Sequence, residues 1–319
     1  MARPIITVVG SFAVGMTIRS DRMPVSGETL IGRDFDMGPG GKGSNQAVGV
    51  ARLGAQSYFA GIIGQDPLGD VAMELYAHEG IHTDFLRRTP DRATGVGLIL
   101  LDNTGANRII LDMAANQQVD AAFVDALAPQ LAASNVVMTV LEIPLEAASR
   151  TMELGRQHGA LTLMNPAPAA HLDPAILAHV DVLTPNESEL RILMGLAPDD
   201  ATPTEDLARQ LQTQGANTIV VTLGEHGALI VSRDQPLTHV PGLPISAIDT
   251  TGAGDAFSAG LAMALAEGRP LLQAVQFANC CGALACTRLG VVPALAQRAQ
   301  ADQLFEHTYN PRNNVKRAQ

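Results

Sequence analysis

The chain has 319 residues, 46% of them hydrophobic and 17% charged, with a formal net charge of −11. This length and apolar content predict a globular protein with one large α/β domain and an elaboration, or two domains. The acidic balance excludes a general binder of nucleic acid or of anionic membranes, but not a site for one small anion. No apolar run approaches a membrane span, and the opening MARPIITVVG lacks a signal-peptide pattern. Cys280, Cys281 and Cys286 crowd one apolar stretch without metal spacing. They read as buried thiols, and a cytoplasmic location is expected.

In chain order, an apolar strand is expected at residues 5–9. Residues 16–37 carry polar residues at short spacing and no helical period. A helix is expected at 43–53, a strand at 57–61 and a helix at 67–79. Residues 94–112, TGVGLILLDNTGANRIILD, read as a hairpin turning at residues 103–106. Further on, strands at 135–141, 161–164, 180–183 and 218–222 alternate with helices at 144–158, 187–194 and 204–214. The strand 228–232 returns beside 218–222, and helices at 254–267 and 271–286 follow. Alternation of this kind predicts a parallel sheet wrapped by helices, and continuous apolar runs such as NVVMTVL suit a sheet covered on both faces. The two stretches that break the alternation predict a small β lid, residues 13–39 and 93–115. The α/β core then comprises 1–12, 40–92 and 116–319. The tail, 310–319, is polar.

Four motifs carry chemistry. DTTGAGDAF, 249–257, sets the carboxylate Asp255 behind glycines where an apolar helix begins. Uncovered N–H groups and the helix dipole favour an anion there. A base beside an anion hole is what phosphoryl transfer to an alcohol requires; a plain turn with an acidic first helical turn has the same sequence pattern. GPGGKGSN, 38–45, formally matches a dinucleotide fingerprint, but 33–37 is no buried strand, and the P-loop pattern fails because Gly43 follows Lys42. What remains is a tight turn with Lys42 and Asn45 at a helix start, suited either to a polyol or to a plain cap. In TPNESEL, 184–190, Asn186 and Glu189 fit a capping box, and equally a water-coordinated Mg²⁺ with phosphate. VTLGEHG, 221–227, ends a strand in glycines where a nucleotide phosphate or a simple hairpin turn would fit.

GGKGSNQAVGVARLG, NPAPA (165–169), TPNESE, VTLGEHG and DTTGAGDAF occur in the order seen in ribokinase-like members of the PfkB carbohydrate kinase family, and the chain resembles them over nearly its whole length. The resemblance implies a Rossmann-like three-layer core with a small β-sheet lid, often shared in a homodimer. The implied activity is ATP-dependent phosphorylation of a sugar hydroxyl. By the same resemblance, Asp255 is the catalytic base, and Gly252, Ala253 and Gly254 form the anion hole. Gly41, Lys42, Asn45 and Glu142 match sugar-contacting positions. Asn186, Thr222, Gly224, Gly227 and Asn279 match ATP-binding positions, and Glu189 holds Mg²⁺ through water. Asp249 and Thr251, with carbonyls around Ala285, Arg288 and Gly290, resemble a monovalent-cation site for K⁺.

Two departures stand out. Ala13 and Gly15 replace an Asn/Asp pair that grips sugar hydroxyls in the family, and Ala294 replaces a serine that assists the cation. A site built to hydrogen-bond a hydroxyl discriminates strongly, so the acceptor is left open among pentoses, ketohexoses, nucleosides and sugar acids. Arg19, Asp21, Arg108 and Asn116, in or near the lid, are candidates for replacing the lost contacts, or simply face solvent. Two further readings compete with a sugar kinase: a nucleoside kinase of the same fold, and a catalytically silent sugar- or nucleotide-binding regulator. A nicotinamide-dependent oxidoreductase built on GPGGKG is a third.

Overall fold

The computed structural model describes residues 2–104, 107–233 and 235–309. Part of the expected hairpin tip (residues 105–106) and the polar tail lie outside these residues. The strands are β1 (Ile5–Val9), β2 (Ala13–Arg19), β3 (Arg33–Gly40), β4 (Gln56–Gly64), β5 (His82–Thr89), β6 (Gly95–Leu101), β7 (Asn107–Asp112), β8 (Val136–Val140), β9 (Leu161–Asn165), β10 (Val182–Leu183), β11 (Thr218–Thr222), β12 (Ala228–Ser232) and β13 (Gln235–Val240). The helices are α1 (Lys42–Arg52), α2 (Pro67–Glu79), α3 (Ala121–Asp125), α4 (Ala128–Ala133), α5 (Leu145–Gln157), α6 (Pro174–Leu177), α7 (Glu187–Leu193), α8 (Thr204–Thr213), α9 (Ala253–Ala266), α10 (Leu271–Ala285), α11 (Val291–Ala294) and α12 (Arg298–Tyr309).

Nine strands form one sheet in the order β13-β12-β11-β10-β9-β8-β1-β4-β5, parallel except at β11–β12 and β12–β13. Successive strand residues feed two apolar layers, as a pleat of period two requires. Val8, Met138, Leu163 and Val220 join one core with Phe59, Tyr76, Phe257 and Phe277 under α1, α2, α9 and α10. Val9, Val137, Met164 and Ile219 join the other with Leu131, Met152 and Leu211 under α4, α5 and α8. The expected run at 180–183 pairs only as the two residues of β10. The sequence pattern passed over β5 (HTDFLRRT) and β13 (QPLTHV) because both lie at sheet edges and keep polar, half-exposed residues.

The two stretches that broke the alternation make a separate four-stranded sheet, β3-β2-β6-β7. The expected hairpin is β6–β7, antiparallel, while β2 pairs β6 in parallel and joins the two stretches. The strand β3, which includes the first three residues of GPGGKG, belongs to this outer sheet and is largely exposed, so the dinucleotide reading fails: no buried strand of a βαβ unit enters that turn. The chain passes from β1 to β2 through residues 10–12. Asn116 pins that crossing, accepting at Oδ1 from Phe12 N at 2.9 Å and donating from Nδ2 to Phe12 O at 2.8 Å. This corrects the reading of Asn116 as a candidate ligand contact or solvent-facing residue, because its buried amide replaces a missing strand neighbour.

Candidate active site

Two glycine turns start the two helices that matter. Gly41 caps α1 at φ 87°, and a Cβ there would stand 2.8 Å from Ala13 N. Only glycine fits that positive φ and that close an approach. The turn places Lys42 at the first position of α1, with Lys42 N donating to Glu142 Oε2 at 2.7 Å. Ser11 Oγ donates to the same oxygen at 2.5 Å, and Ser44 N donates to Ser11 O at 2.9 Å. Gly252 caps α9 at φ 80°, where a Cβ would come within 2.4 Å of Val291 Cγ1. The first turn of α9 then carries Ala253, Gly254 and Asp255, whose N–H groups have no acceptor inside the helix. Ala253 N is already used, donating to Thr250 O at 3.2 Å.

Asp255 is buried and held at both oxygens. Asn45 Nδ2 donates to Oδ2 at 2.8 Å and Gln46 Nε2 to Oδ1 at 3.1 Å. Burial pushes the Asp255 carboxyl above its usual range; the Lys42 ammonium and the two amides oppose this without cancelling it. Glu142 is raised for the same first reason, with Lys42 and Ser11 opposing. Glu189 is raised by burial, against the Asn186 N–H and Lys42. Burial disfavours the charged Lys42, but Asp255, Glu142 and Glu189 more than offset it and hold the ammonium above its ordinary value. One cation thus serves three carboxyl groups.

Two cavities meet beside Asp255. The smaller, about 140 Å³, is lined by Lys42, Glu189, Gly252 and Asp255, among others. The larger, about 760 Å³, is lined by Gly224, Gly227, Ala253 and Asn279, with apolar walls from Leu243 and Ile245. Asn186, Thr222 and Gly254 border both. All five expected nucleotide positions therefore surround one space, and the expected base lines the smaller cavity beside it, next to Gly254, which borders both. Gly41, Asn45 and Glu142 border neither cavity and reach the site through their bonds to the first turn of α1 and to Asp255.

Asn186 and Glu189 do form the capping box: Glu189 N donates to Asn186 Oδ1 and Asn186 N to Glu189 Oε2, each at 2.8 Å. Their remaining polar atoms, Asn186 Nδ2 and Glu189 Oε1, belong to residues that line the smaller cavity. The cap and a ligand role are therefore compatible. Asp249 Oδ1 accepts from Thr251 N and Oδ2 from Gly290 N, each at 3.0 Å. Partial burial raises Asp249, but these bonds outweigh it and hold the carboxyl below its usual range. Ile248 N and Asp249 N donate to Cys286 O, which brings the end of α10, with Ala285 and Arg288, alongside that loop. Ala294 is buried in α11. The three cysteines are free and buried.

Sequence reasoning missed Ser11, Gln46, Asn165 and Thr184. Asn165 Nδ2 donates to Thr184 O at 2.9 Å, and both residues line the smaller cavity. NPAPA and TPNESE flag this pair, but only the sheet, which sets β9 beside β10, shows them as neighbours. Gln46 adjoins Asn45, and spacing alone gives no reason for two consecutive helical residues to reach one carboxylate.

A sequence profile of the pfkB family carbohydrate kinases matches residues 5–298. The ribokinase of Schizosaccharomyces pombe is 34% identical over 309 residues, covering 94% of this chain and 97% of its own. The deoxyribokinase of Salmonella typhi is 37% identical over 253 residues, covering 79% and 82%. The structure of Arabidopsis thaliana ribokinase complexed with ribose and ATP superposes with a TM-score of 0.89 at 26% identity, covering 96% of this chain and 99% of that one. The chain belongs to the pfkB family of carbohydrate kinases and is an ATP-dependent sugar kinase, a phosphotransferase with an alcohol group as acceptor.

Proposed function

We propose that Asp255 is the general base of this kinase. The observation that carries the assignment is its position: buried, clamped by Asn45 and Gln46, and lining the smaller cavity next to Gly254, which borders both cavities. ATP lies in the larger cavity along Thr222, Gly224, Gly227 and Asn279, with its phosphates towards Asn186 and Gly254. The acceptor lies over Gly41, Lys42, Asn45 and Glu142. Asp255 takes the acceptor hydroxyl's proton as the oxygen attacks the γ-phosphorus in line. Gly252 and Gly254, on the first turn of α9, stabilise the transferring group, with Ala253 shaping the turn, and Lys42 adds positive charge.

The residues present suit Mg²⁺ and a monovalent cation. Glu189 is a half-buried carboxyl whose ionised form is disfavoured by desolvation, which a cation beside it would offset, and Mg²⁺ keeps several waters and needs few protein ligands. Held through water at Glu189, Mg²⁺ would supply positive charge to offset that of the phosphates. K⁺ fits the loop of Asp249 and Thr251 beside the carbonyls of Ala285, Arg288 and Gly290, where Asp249 stays ionised. Ala294 supplies no hydroxyl there.

The acceptor face has changed. Ser11, which reaches Glu142, alternates along the chain with Phe12 and Val14, which turn into the core. The same alternation puts Ala13 and Gly15 on the Ser11 side. Register then sets Gly40 and Gly95 beside Ala13, and Gly38 and Gly97 beside Gly15. A Cβ would find open space at Gly38 and ordinary contact at Gly15. Strand glycines with such room mark close approach of a ligand or another backbone, whereas Gly95 is closed off by Asn116 and Phe12, and Gly97 by Leu111. This bare floor favours an acceptor with bulk beyond a pentose ring, which keeps the nucleoside kinase as the second reading. The intact clamp on Asp255 opposes a silent regulator, since a binder has no use for a base.

The outer sheet, residues 13–39 and 93–115, acts as the lid. One row of its other face, Met37–Met16–Leu98–Ile110, runs across all four strands, with Met37, Leu98 and Ile110 exposed. We assign this row to a homodimer contact. Free buried thiols fit a reducing cytoplasm. Incubation with MgATP and a panel of pentoses, hexoses, sugar acids and nucleosides, read as ADP released, tests the function. ADP formation with at least one acceptor, abolished in Asp255→Asn, is expected. Ligand binding without ADP across the panel would favour the regulator.

A further inference from the structure

Gln46 is fully buried and lines neither cavity, yet its Nε2 donates to Asp255 Oδ1. Consecutive helical residues point about 100° apart, so Asn45 and Gln46 both reach one carboxylate only if it stands over the gap between them. The helices make room for this one turn further along, where Gly49 lies against Ala259 and a Cβ at Gly49 would be 2.6 Å from the Ala259 Cβ. Each amide also keeps an oxygen, Asn45 Oδ1 and Gln46 Oε1, that is buried without a partner among the described residues. A buried amide oxygen with no donor is destabilising, which is explained if another state of the site uses it.

The geometry points to Gln46 as a positioning residue for the base: it holds Oδ1 of ionised Asp255 and, after a half-turn of its amide, accepts from that oxygen once it carries the proton. This rests on Asp255 being the base. In the transfer, the acceptor oxygen bonds the γ-phosphorus, the bond from that phosphorus to the β–γ bridging oxygen breaks, and ADP leaves. The hydroxyl proton passes to Asp255 and then to solvent. An N–H aimed at a carboxylic O–H sets two donors face to face. Exchanging Nε2 for Oε1 removes that conflict, and Oε1 has no bond to give up. Asn45 has the same freedom at Oδ2, but the proposed function gives its remaining oxygen to the acceptor. The charged groups around Asp255 are Lys42 on α1, Glu142 after β8 and Glu189 on α7. Lys42 favours the ionised form, and the two carboxylates disfavour it.

Gln46→Met keeps the bulk and removes both the donor and the acceptor. The expected result is a roughly tenfold to hundredfold lower kcat with KM for ATP retained. The acid limb of kcat/KM against pH should also move up, because the bond Gln46 gives the ionised carboxylate is stronger than the one it accepts from the protonated form, so the ionised base loses more. A thermal scan at the assay pH separates this from unfolding. An unchanged kcat, or a lower kcat with an unmoved limb, overturns the proposal. If Gln46→Met does not fold, Gln46→Glu carries the test: the new carboxylate beside Asp255 should move the limb up, and an unmoved limb overturns the proposal. Asp255→Asn run in parallel separates the two assignments. Normal turnover there overturns both; an inactive Asp255→Asn beside a wild-type-like Gln46→Met overturns only the role of Gln46.

Discussion

Gly49 and Ala259 fix how closely α1 approaches α9, since no Cβ fits between the backbone of one and the methyl of the other. That spacing lets Asn45 and Gln46 on α1 grasp Asp255 on α9. Gly49→Ala should therefore lower stability by about 1–3 kcal/mol through overpacking, and lower kcat as well by pushing the clamp off the carboxylate. Urea denaturation and steady-state kinetics check both parts; a stable variant with normal kcat would show that the spacing is not needed.

Asp255→Asn should reduce kcat by about 10²–10⁴-fold while leaving ATP binding in place. It should also make the unliganded protein more stable at pH 8. The sign follows from burial: the folded protein favours the protonated carboxyl, so that contribution is full below the unfolded pKa and lost as pH rises through the raised folded one. Asparagine has no proton to lose. Thermal melts from pH 4 to pH 8 should show the two proteins diverging as pH rises, and parallel melting curves would refute the buried-charge account.

Ala13→Asn combined with Gly15→Asp should raise kcat/KM for free ribose by about tenfold to hundredfold, as expected for one or two regained hydrogen bonds to hydroxyls. The site at Gly15 accepts a Cβ without clash. Acceptor kinetics on the double variant decide this. No gain for ribose would mean that the lost pair was not what excluded it.

Leu98→Asp with Ile110→Asp should yield a monomer under conditions where the parent sediments as a dimer. The two positions face each other across β6 and β7 and are exposed in the single chain. Charges opposite each other on a buried apolar row cannot be desolvated without a partner. Analytical ultracentrifugation reads the outcome, and a parent that is monomeric at all concentrations removes the interface.

Exchanging K⁺ for Na⁺ should lower kcat, and Ala294→Ser should widen the difference by adding a hydroxyl beside the loop that Asp249 fastens to Gly290. Equal rates in the two salts would dismiss the cation site.

The core was legible where burial is two-sided. Thr218–Thr222 and Ala228–Ser232 matched residue for residue because their apolar centres, IVV and ALIV, are bounded by turns. The edge strand β5 was not legible, since one solvated face breaks the pattern that identifies a strand. At the site, the roles given to residues came from the resemblance to the family, while the backbone features, such as the turns at Gly41 and Gly252 and the Asn186–Glu189 cap, were readable from spacing. Ser11 and Gln46 were not, because their partners Glu142 and Asp255 lie 131 and 209 residues away. Asn116 was misread for the same reason: its amide serves the backbone of Phe12, 104 residues earlier.

That amide has a mechanical consequence. Both backbone groups of Phe12 are tied to Asn116, and Ser11 on one side is tied to Glu142. The root of the outer sheet is therefore clamped to the core just before Ala13, and a rigid swing about residues 10–12 would break bonds that nothing replaces. The freedom left to the outer sheet is flexure within the strands, where Gly15, Gly38 and Gly97 carry no side chain to brace the backbone. Slow amide exchange at Phe12 with faster exchange beyond Gly15 would be the signature of a leaf spring held at its base.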